Sequence, residues 1–228
     1  MDGNARIELT DGIRLLAFLF LGGEAPVYPQ GQLGPGCGIE TPEDPLGCDV
    51  PGPCGAKGLF FVLDKSGSMN EGTKFRRLQT EVIRALDALS ESDEFGIIFF
   101  DSALSKFPAS GTPARASAAM KAAGMAYVLS TAPGHGSCPK PALFTALVFA
   151  GASTADQRSI VYISDGFTFC GATDLAVYQR ETLAEVKARN TGNVPINTIG
   201  WGAPGAVDEA FLQRLAAENG GTFSRIVQ

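Results

Sequence analysis

Residues 58–69 read GLFFVLDKSGSM, an apolar run that ends in a carboxylate and is followed by hydroxyls at alternate positions. The run at 59–63 is short and rich in Phe and Val, which is typical of a central parallel strand covered on both faces. Ligands of open α/β sheets bind just beyond the carboxyl ends of the strands. Asp64, Ser66 and Ser68 are therefore predicted to form a site, and their oxygens suit a hard cation such as Mg2+.

The composition indicates a soluble globular protein. The 228 residues, 45% of them hydrophobic, are enough for one sizeable core. The net charge of -6, with 18 scattered Lys and Arg residues, argues against a nucleic-acid or membrane-surface partner. The sequence has a single His, His135, so a zinc site would have to be built almost wholly from cysteine. No CxxC pair is present to form one. The cysteines are better interpreted as disulfide candidates.

Residues 1–57 differ in composition from the domain predicted for residues 58–228. The apolar run at 15–21 is too short to span a bilayer, and the acidic residues before it are unlike the positive start of a secretory signal. A degenerate export signal is our preferred interpretation. A start site assigned too early and a small strand pair remain open.

The second half of this segment, residues 26–55, is crowded with Pro, Gly and three cysteines: Cys37, Cys48 and Cys54. It shows neither the strand nor the helix period, which is typical of an irregular linker or a Cys-stapled loop. Whichever two of these cysteines pair, the third is free or bonds another chain.

From residue 58 onward, predicted strands and helices alternate, which indicates a doubly wound α/β fold. After the first strand, further strands are predicted at 94–100, 104–107, 159–164, 195–200 and 222–227. Helices are predicted at 74–89, 114–129, 141–152 and 175–188, with a last one capped by Asp208 and running to Asn219.

Three motifs carry a resemblance to a known family. DKSGSM follows the first strand, SDG ends a later one at 164–166, and GGTFSRI lies at 220–226. Together they resemble the von Willebrand factor type A family, over about residues 58–227. The resemblance implies a Rossmann-like, mostly parallel six-stranded sheet with helices on both faces. It also implies a metal-ion-dependent adhesion site that holds Mg2+ and captures an acidic side chain of a partner protein.

The resemblance implies that the metal ligands are Asp64, Ser66 and Ser68 of the first motif together with Asp165 of the second. The family's remaining ligand is a threonine, but Pro141 occupies its register and offers no side-chain oxygen. Ser137, in the preceding loop, supplies a hydroxyl if that loop is reshaped, whereas Thr145 lies a turn inside the helix. Ser137 is therefore our candidate for the missing ligand.

We predict a non-enzymatic, divalent-metal-dependent protein-binding module that acts in adhesion or assembly. Mg2+ is the expected ion, with Mn2+ or Ca2+ as alternatives, and the partner is a protein that presents an Asp or Glu. One alternative is a non-catalytic scaffold with a degenerate metal site. Another treats the serines at 66 and 68 as a tight turn whose hydroxyls cap the next helix.

A metal-assisted hydrolase is the alternative from a different class. Ser137 and Lys140 match the Ser-x-x-Lys pattern of penicillin-binding serine enzymes, but no Lys-Thr-Gly follows. Two charged neighbours of the site are also left open. Asp101 either supports the metal ligands or is a solvated turn residue, and Lys65 either opposes or steers the partner's acid.

Cys138 and Cys170 fall in two loops that the predicted fold brings to the same end of the sheet. We hypothesise a disulfide between them that stiffens the rim of the site. Two buried free thiols are the alternative. The cysteines favour an extracytoplasmic or cell-surface location without excluding the cytoplasm, and the oligomeric state stays open.

Overall fold

The computed structural model describes residues 56–168, 170–203 and 205–226. The predictions made for residues 1–55, which concern the export signal and the pairing of Cys37, Cys48 and Cys54, lie outside the described residues.

Strands and helices alternate along the described chain. The strands are β1 (Lys57–Asp64), β2 (Glu94–Phe100), β3 (Leu104–Phe107), β4 (Ala114–Arg115), β5 (Gln157–Ser164), β6 (Ile196–Trp201) and β7 (Phe223–Ile226). The helices are α1 (Lys74–Asp87), α2 (Ala118–Ser130), α3 (Pro139–Ala152), α4 (Leu175–Arg189) and α5 (Glu209–Glu218), with a 3-10 turn at Gly67–Asn70 after β1.

The sheet has the order β3-β2-β1-β5-β6-β7. Neighbouring strands are parallel except at β3, which is antiparallel to β2, and the two-residue β4 also pairs with β2 in the antiparallel sense. The predicted mostly parallel six-stranded sheet is confirmed, with β4 as an addition. Because successive connections leave β1 in opposite directions, the order of the strands reverses between β1 and β5.

The central strand β1 is covered on both faces, which accounts for its unbroken apolar run. Alternate side chains of a strand point to opposite faces. Leu59, Phe61 and Leu63 join one core, which includes apolar residues of α1 and α2. Phe60 and Val62 join the other, which includes residues of α3, α4 and α5. The predicted helices on both faces are therefore confirmed.

The predicted helix at 114–129 is wrong at its start. Ala114 and Arg115 pair with Phe95 and Glu94 of β2, so the backbone there is extended. The helix begins only at Ala118, after Ser117, whose side chain accepts a hydrogen bond from the Met120 backbone N–H.

The helix predicted to begin at Pro141 begins at Pro139, with Cys138 as its N-cap residue. Both prolines fit the first turn of α3 because backbone N–H groups there have no partner within the helix. The helix therefore reaches closer to Ser137 than predicted.

Candidate metal centre

The site lies where the carboxyl ends of β1 and β5 meet at one edge of the sheet. Asp64 is the last residue of β1, and Asp165 directly follows β5. Because the two strands are parallel neighbours, both carboxylates emerge at the same edge. Asp64 is fully buried and Asp165 is 2% exposed. The structure thus brings together the two aspartates that lie about a hundred residues apart in sequence.

The Asp64 carboxylate is held by hydrogen bonds on both oxygens. Its Oδ1 accepts from the Ser66 backbone N–H at 2.7 Å. Its Oδ2 accepts from the Ser164 hydroxyl at 2.6 Å and from the Ser137 hydroxyl at 3.4 Å. The side chain is therefore fixed from the β1 turn, from the end of β5 and from the loop before α3.

The two serines of the first motif face each other and the second aspartate. Ser66 Oγ and Ser68 Oγ are 3.1 Å apart. The Ser68 hydroxyl lowers the pKa of the Asp165 carboxyl group. Ser66 precedes the 3-10 turn without making a side-chain capping bond, and the side chain of Thr73 does not cap α1. The hydroxyls of Ser66 and Ser68 therefore lie beside the carboxylates and do not cap a helix. This arrangement differs from the alternative in which they form a capping turn.

Burial dominates the electrostatics of both aspartates. Burial raises the pKa of Asp64 to about 6, although bonds from Ser164 and Ser66 lower it, and the neighbouring charge of Asp165 raises it further. Burial likewise raises the pKa of Asp165, against the effect of the Ser68 hydroxyl. Within the described part of the chain, no Lys, Arg or His lies within 4.0 Å of either carboxylate.

A divalent cation fits this set of donors. Two buried carboxylates without a positive partner carry a large desolvation cost, which a bound cation would offset. Two carboxylates with three hydroxyls at Ser66, Ser68 and Ser137 match the oxygen ligands that Mg2+ takes alongside retained waters. The described residues contain no group of three or more His, Cys, Asp or Glu side chains arranged for a metal. The candidate donors are carboxylate and hydroxyl oxygens, whereas structural zinc sites are built mainly from Cys and His.

Ser137 lies at the candidate site and has the side-chain hydroxyl that Pro141 lacks. Its side chain is 4% exposed and reaches the Asp64 carboxylate. Thr145, by contrast, donates its hydroxyl to the Pro141 carbonyl oxygen at 2.9 Å, within its own helix. Of the two hydroxyls considered from the sequence, the structure brings only Ser137 to the carboxylates.

Lys65 and Asp101 form an ion pair beside the site. The Asp101 carboxylate also accepts from the Ala103 backbone N–H at 2.8 Å, and Asp101 is only 8% exposed. The interpretation of Asp101 as a solvated turn residue is therefore wrong. Lys65 is neutralised by this pair, which leaves it poorly suited to steer an incoming acid.

The hydrolase pattern at 137–140 is not assembled. The Lys140 ammonium donates to Glu185 of α4 at 2.8 Å and lies over the Tyr178 ring, while the Ser137 hydroxyl donates to Asp64. A serine nucleophile needs its base within hydrogen-bond reach. The geometry therefore argues against the Ser-x-x-Lys alternative.

Ser164 is a residue of the candidate site that sequence reasoning missed. Its hydroxyl donates to Asp64 and accepts from the Gly166 backbone N–H at 2.8 Å, so it joins the carboxylate to the turn after β5. The signal was present in the SDG motif, since a hydroxyl at the end of a buried strand must find a polar partner.

Cys138 and Cys170 are joined by a disulfide. Cys138 directly follows Ser137, and Cys170 lies in the loop that carries Asp165. The bond links the two loops that flank the β1 turn. The two cysteines are therefore not the free thiols of the alternative interpretation.

Comparisons with known proteins agree with this geometry. Residues 59–167 match the family model of the von Willebrand factor type A domain. The chain is 30% identical over 177 residues to inter-alpha-trypsin inhibitor heavy chain H4 of Homo sapiens, covering 75% of this chain and 18% of that protein. It is 27% identical to the Bos taurus protein of the same name over 179 residues, covering 75% of this chain and 19% of that protein. The chain thus spans about a fifth of the length of these relatives.

Solved structures share the fold at low sequence identity. A von Willebrand factor type A protein from Catenulispora acidiphila superposes with a TM-score of 0.64 at 20% identity, covering 75% of this chain and 38% of that one. The pilus adhesin SpaC from Lactobacillus rhamnosus GG gives a TM-score of 0.59 at 15% identity, covering 74% of this chain and 27% of that one.

None of the helices in the described residues is both long enough and apolar enough to cross a bilayer. The sheet order, the two motifs that meet at its carboxyl edge and the match to the family model lead to one assignment. The domain formed by the described residues belongs to the von Willebrand factor type A family.

Proposed function

We propose that the domain is a divalent-metal-dependent protein-binding module that captures an Asp or Glu side chain of a partner protein. The family supports a module for protein interaction or adhesion. One observation carries the metal-dependent part of the proposal. Two buried carboxylates, Asp64 and Asp165, meet three serine hydroxyls, and among the described residues no Lys, Arg or His lies within 4.0 Å of either carboxylate.

The residues that would hold the ion are Asp64, Ser66, Ser68, Asp165 and Ser137. Mg2+ is the expected ion, with Mn2+ or Ca2+ as alternatives. When bound, the ion supplies positive charge and a coordination position for the partner's carboxylate. The serine hydroxyls leave that charge incompletely neutralised, because only the two aspartates among these ligands are anionic.

The domain is proposed to be non-catalytic. Lys140 and Ser137 are engaged with different partners. His135 is exposed, and its carbonyl oxygen accepts from the Ser102 amide at 2.9 Å. Nothing in this arrangement resembles a nucleophile with its base.

We also propose an extracytoplasmic location. The Cys138–Cys170 disulfide is typical of oxidising compartments, and a pilus adhesin is among the proteins that share this fold. A nucleic-acid partner is not proposed, because the chain carries a net charge of -6.

The test is calorimetric titration of Mg2+ and Mn2+ into the purified chain, compared with Asp64→Ala and Ser68→Ala. Saturable binding that both substitutions abolish or weaken by at least about tenfold is the expected result. Asp156→Ala is the matched control, since Asp156 is exposed in the loop before β5, at the opposite edge of the sheet. Absence of binding by the unsubstituted chain would favour the alternative, a scaffold with a degenerate metal site.

A further inference from the structure

We propose that the Cys138–Cys170 disulfide positions Ser137 as the hydroxyl ligand that replaces the missing threonine, so that divalent-metal affinity depends on the oxidation state of this pair. The inference rests on the proposed function, because it assigns a role to residues that flank the proposed metal site. In this chain Pro141 stands in the register of the family's threonine and offers no side-chain oxygen.

The segment that carries Ser137 is tied to the β1 and β2 ends of the sheet by its backbone. The Gly134 N–H donates to the Lys65 carbonyl oxygen at 2.7 Å, and the Cys138 N–H donates to the Asp101 carbonyl oxygen at 2.8 Å. These bonds fix one side of the segment. They do not connect it to the β5 side, from which Asp165 enters the site.

The disulfide supplies a covalent connection to that side, in addition to the Lys140–Glu185 ion pair between α3 and α4. It joins the residue after Ser137 to the loop that follows Asp165. Ser137 is thereby held between two anchored sides. Its hydroxyl lies 3.4 Å from Asp64 Oδ2, near the limit of a hydrogen bond, so a small displacement would remove the contact.

The N-cap position of α3 has no side-chain cap. Cys138 is the N-cap residue, and its side chain makes no hydrogen bond to the first turn of the helix. The disulfide instead provides a covalent anchor at this position, directly before the helix.

The test compares Mn2+ affinity, measured by calorimetry, in the oxidised chain, in the Cys138→Ser/Cys170→Ser variant, in Ser137→Ala and in the combination of all three. We expect about tenfold weaker binding in the double cysteine variant and in Ser137→Ala, the size typical for residues that orient metal ligands. We expect no further loss when the changes are combined, because both act through the same hydroxyl. Thr145→Ala is the control for loss of a hydroxyl on α3 and should leave the affinity unchanged.

A disulfide with a purely structural role would behave differently. It would lower the melting temperature in EDTA without changing Mn2+ affinity, or its loss would add in full to that of Ser137→Ala, and either result overturns the proposal. Should the cysteine variant not fold, the unsubstituted chain is reduced with a phosphine in water. The disulfide becomes two thiols, and the phosphine becomes its oxide by taking the oxygen of one water, whose two hydrogens go to the thiols. The reduced chain is titrated with Mn2+ once circular dichroism shows that it remains folded, and an affinity equal to that of the oxidised chain overturns the proposal.

The outcomes also separate this proposal from the function on which it rests. If Mn2+ binding is lost in Asp64→Ala but does not change when the disulfide is removed, the metal site is supported and the positioning role is rejected. An oxidised chain that binds no Mn2+ rejects both.

Discussion

The Ser164 hydroxyl donates a 2.6 Å hydrogen bond to Asp64 Oδ2, which joins the ends of β5 and β1 directly beneath the candidate metal site. This bond lowers the pKa of Asp64 and so opposes the stronger effect of burial, which raises it. A residue that stabilises the charged form of a metal ligand also favours metal over a proton at that ligand.

Ser164→Ala is therefore expected to weaken Mn2+ binding by about tenfold, as is common for groups that orient a metal ligand. Calorimetric titration at pH 6 and pH 8 measures the effect. The loss should be larger at pH 6, where a further increase in the pKa of Asp64 leaves more of it protonated. Equal affinities for the variant and the unsubstituted chain at both values would contradict the expectation. Ser159→Ala, at the other end of β5, is the control.

Asp64→Asn is expected to stabilise the metal-free protein at neutral pH. The folded pKa of about 6 lies above the ordinary value of 3.8, so the folded state binds the proton more tightly and stability falls as pH rises between these values. The difference corresponds to about 3 kcal/mol above pH 6. Urea unfolding in EDTA should show the stability of the variant relative to the unsubstituted chain increasing from pH 4 to pH 7. A difference independent of pH would contradict the assigned burial effect.

Glu94 should have the opposite pH dependence. Burial raises its pKa, but hydrogen bonds from Ser153 Oγ at 2.5 Å and from the hydroxyl and amide of Thr154 at 2.5 and 3.0 Å lower it below its ordinary value of 4.5. The stability that this carboxylate contributes is present above pH 4.5 and is lost as pH falls through the lower folded pKa.

Glu94→Gln is accordingly expected to cost about 1–3 kcal/mol of unfolding free energy at pH 7 and less at pH 3. Urea unfolding at the two pH values measures the change. Glu91→Gln, at an exposed glutamate in the turn before β2, is the control and should be close to neutral. A loss at Glu94 that is as large at pH 3 as at pH 7 would show that the charged form is not what the hydrogen bonds stabilise.

An exposed apolar side chain beside Asp165 predicts which carboxylic acids the proposed site binds most tightly. Phe167, whose backbone N–H donates to Asp165 Oδ1 at 3.2 Å, is 47% exposed. A partner acid next to an apolar group would remove part of this surface from water.

The metal-loaded domain is thus expected to bind 3-phenylpropionate several-fold more tightly than acetate, as measured by NMR titration with Mg2+ present. Phe167→Ser should remove the preference, whereas Val148→Ser, at a 64% exposed residue along α3, should keep it. Equal binding of both acids by the unsubstituted domain would show that Phe167 does not contribute.

The sequence predicted the sheet, and the positions of Asp64 and Asp165 at the ends of strands, because both depend on local patterns. A continuous apolar run is what a strand covered on both faces requires, and residues 59–63 meet that requirement in β1, which ends at Asp64. The same holds for the strand that ends before Asp165. In each case the residues that form the element also identify it.

The features that the sequence did not predict depend on contacts between distant segments. Ala114 and Arg115 have no local feature that opposes a helix, and only pairing with β2 makes them extended. The ion pair of Lys65 and Asp101 likewise arises because β1 and β2 are neighbours in the sheet. Such pairs become visible only when the strand order is known.

The direction of the strands also determines how the domain is best attached to a surface. All of the parallel strands end at the edge that carries Asp64, so the chain enters β1 at the opposite edge, about 26 Å away for eight residues of strand. The last described strand, β7, is parallel to β6 and ends at the same edge as the site. A sensor chip or bead coupled ahead of Ala56 would leave the binding edge facing the solution, whereas coupling after Ile226 would hold that edge against the support.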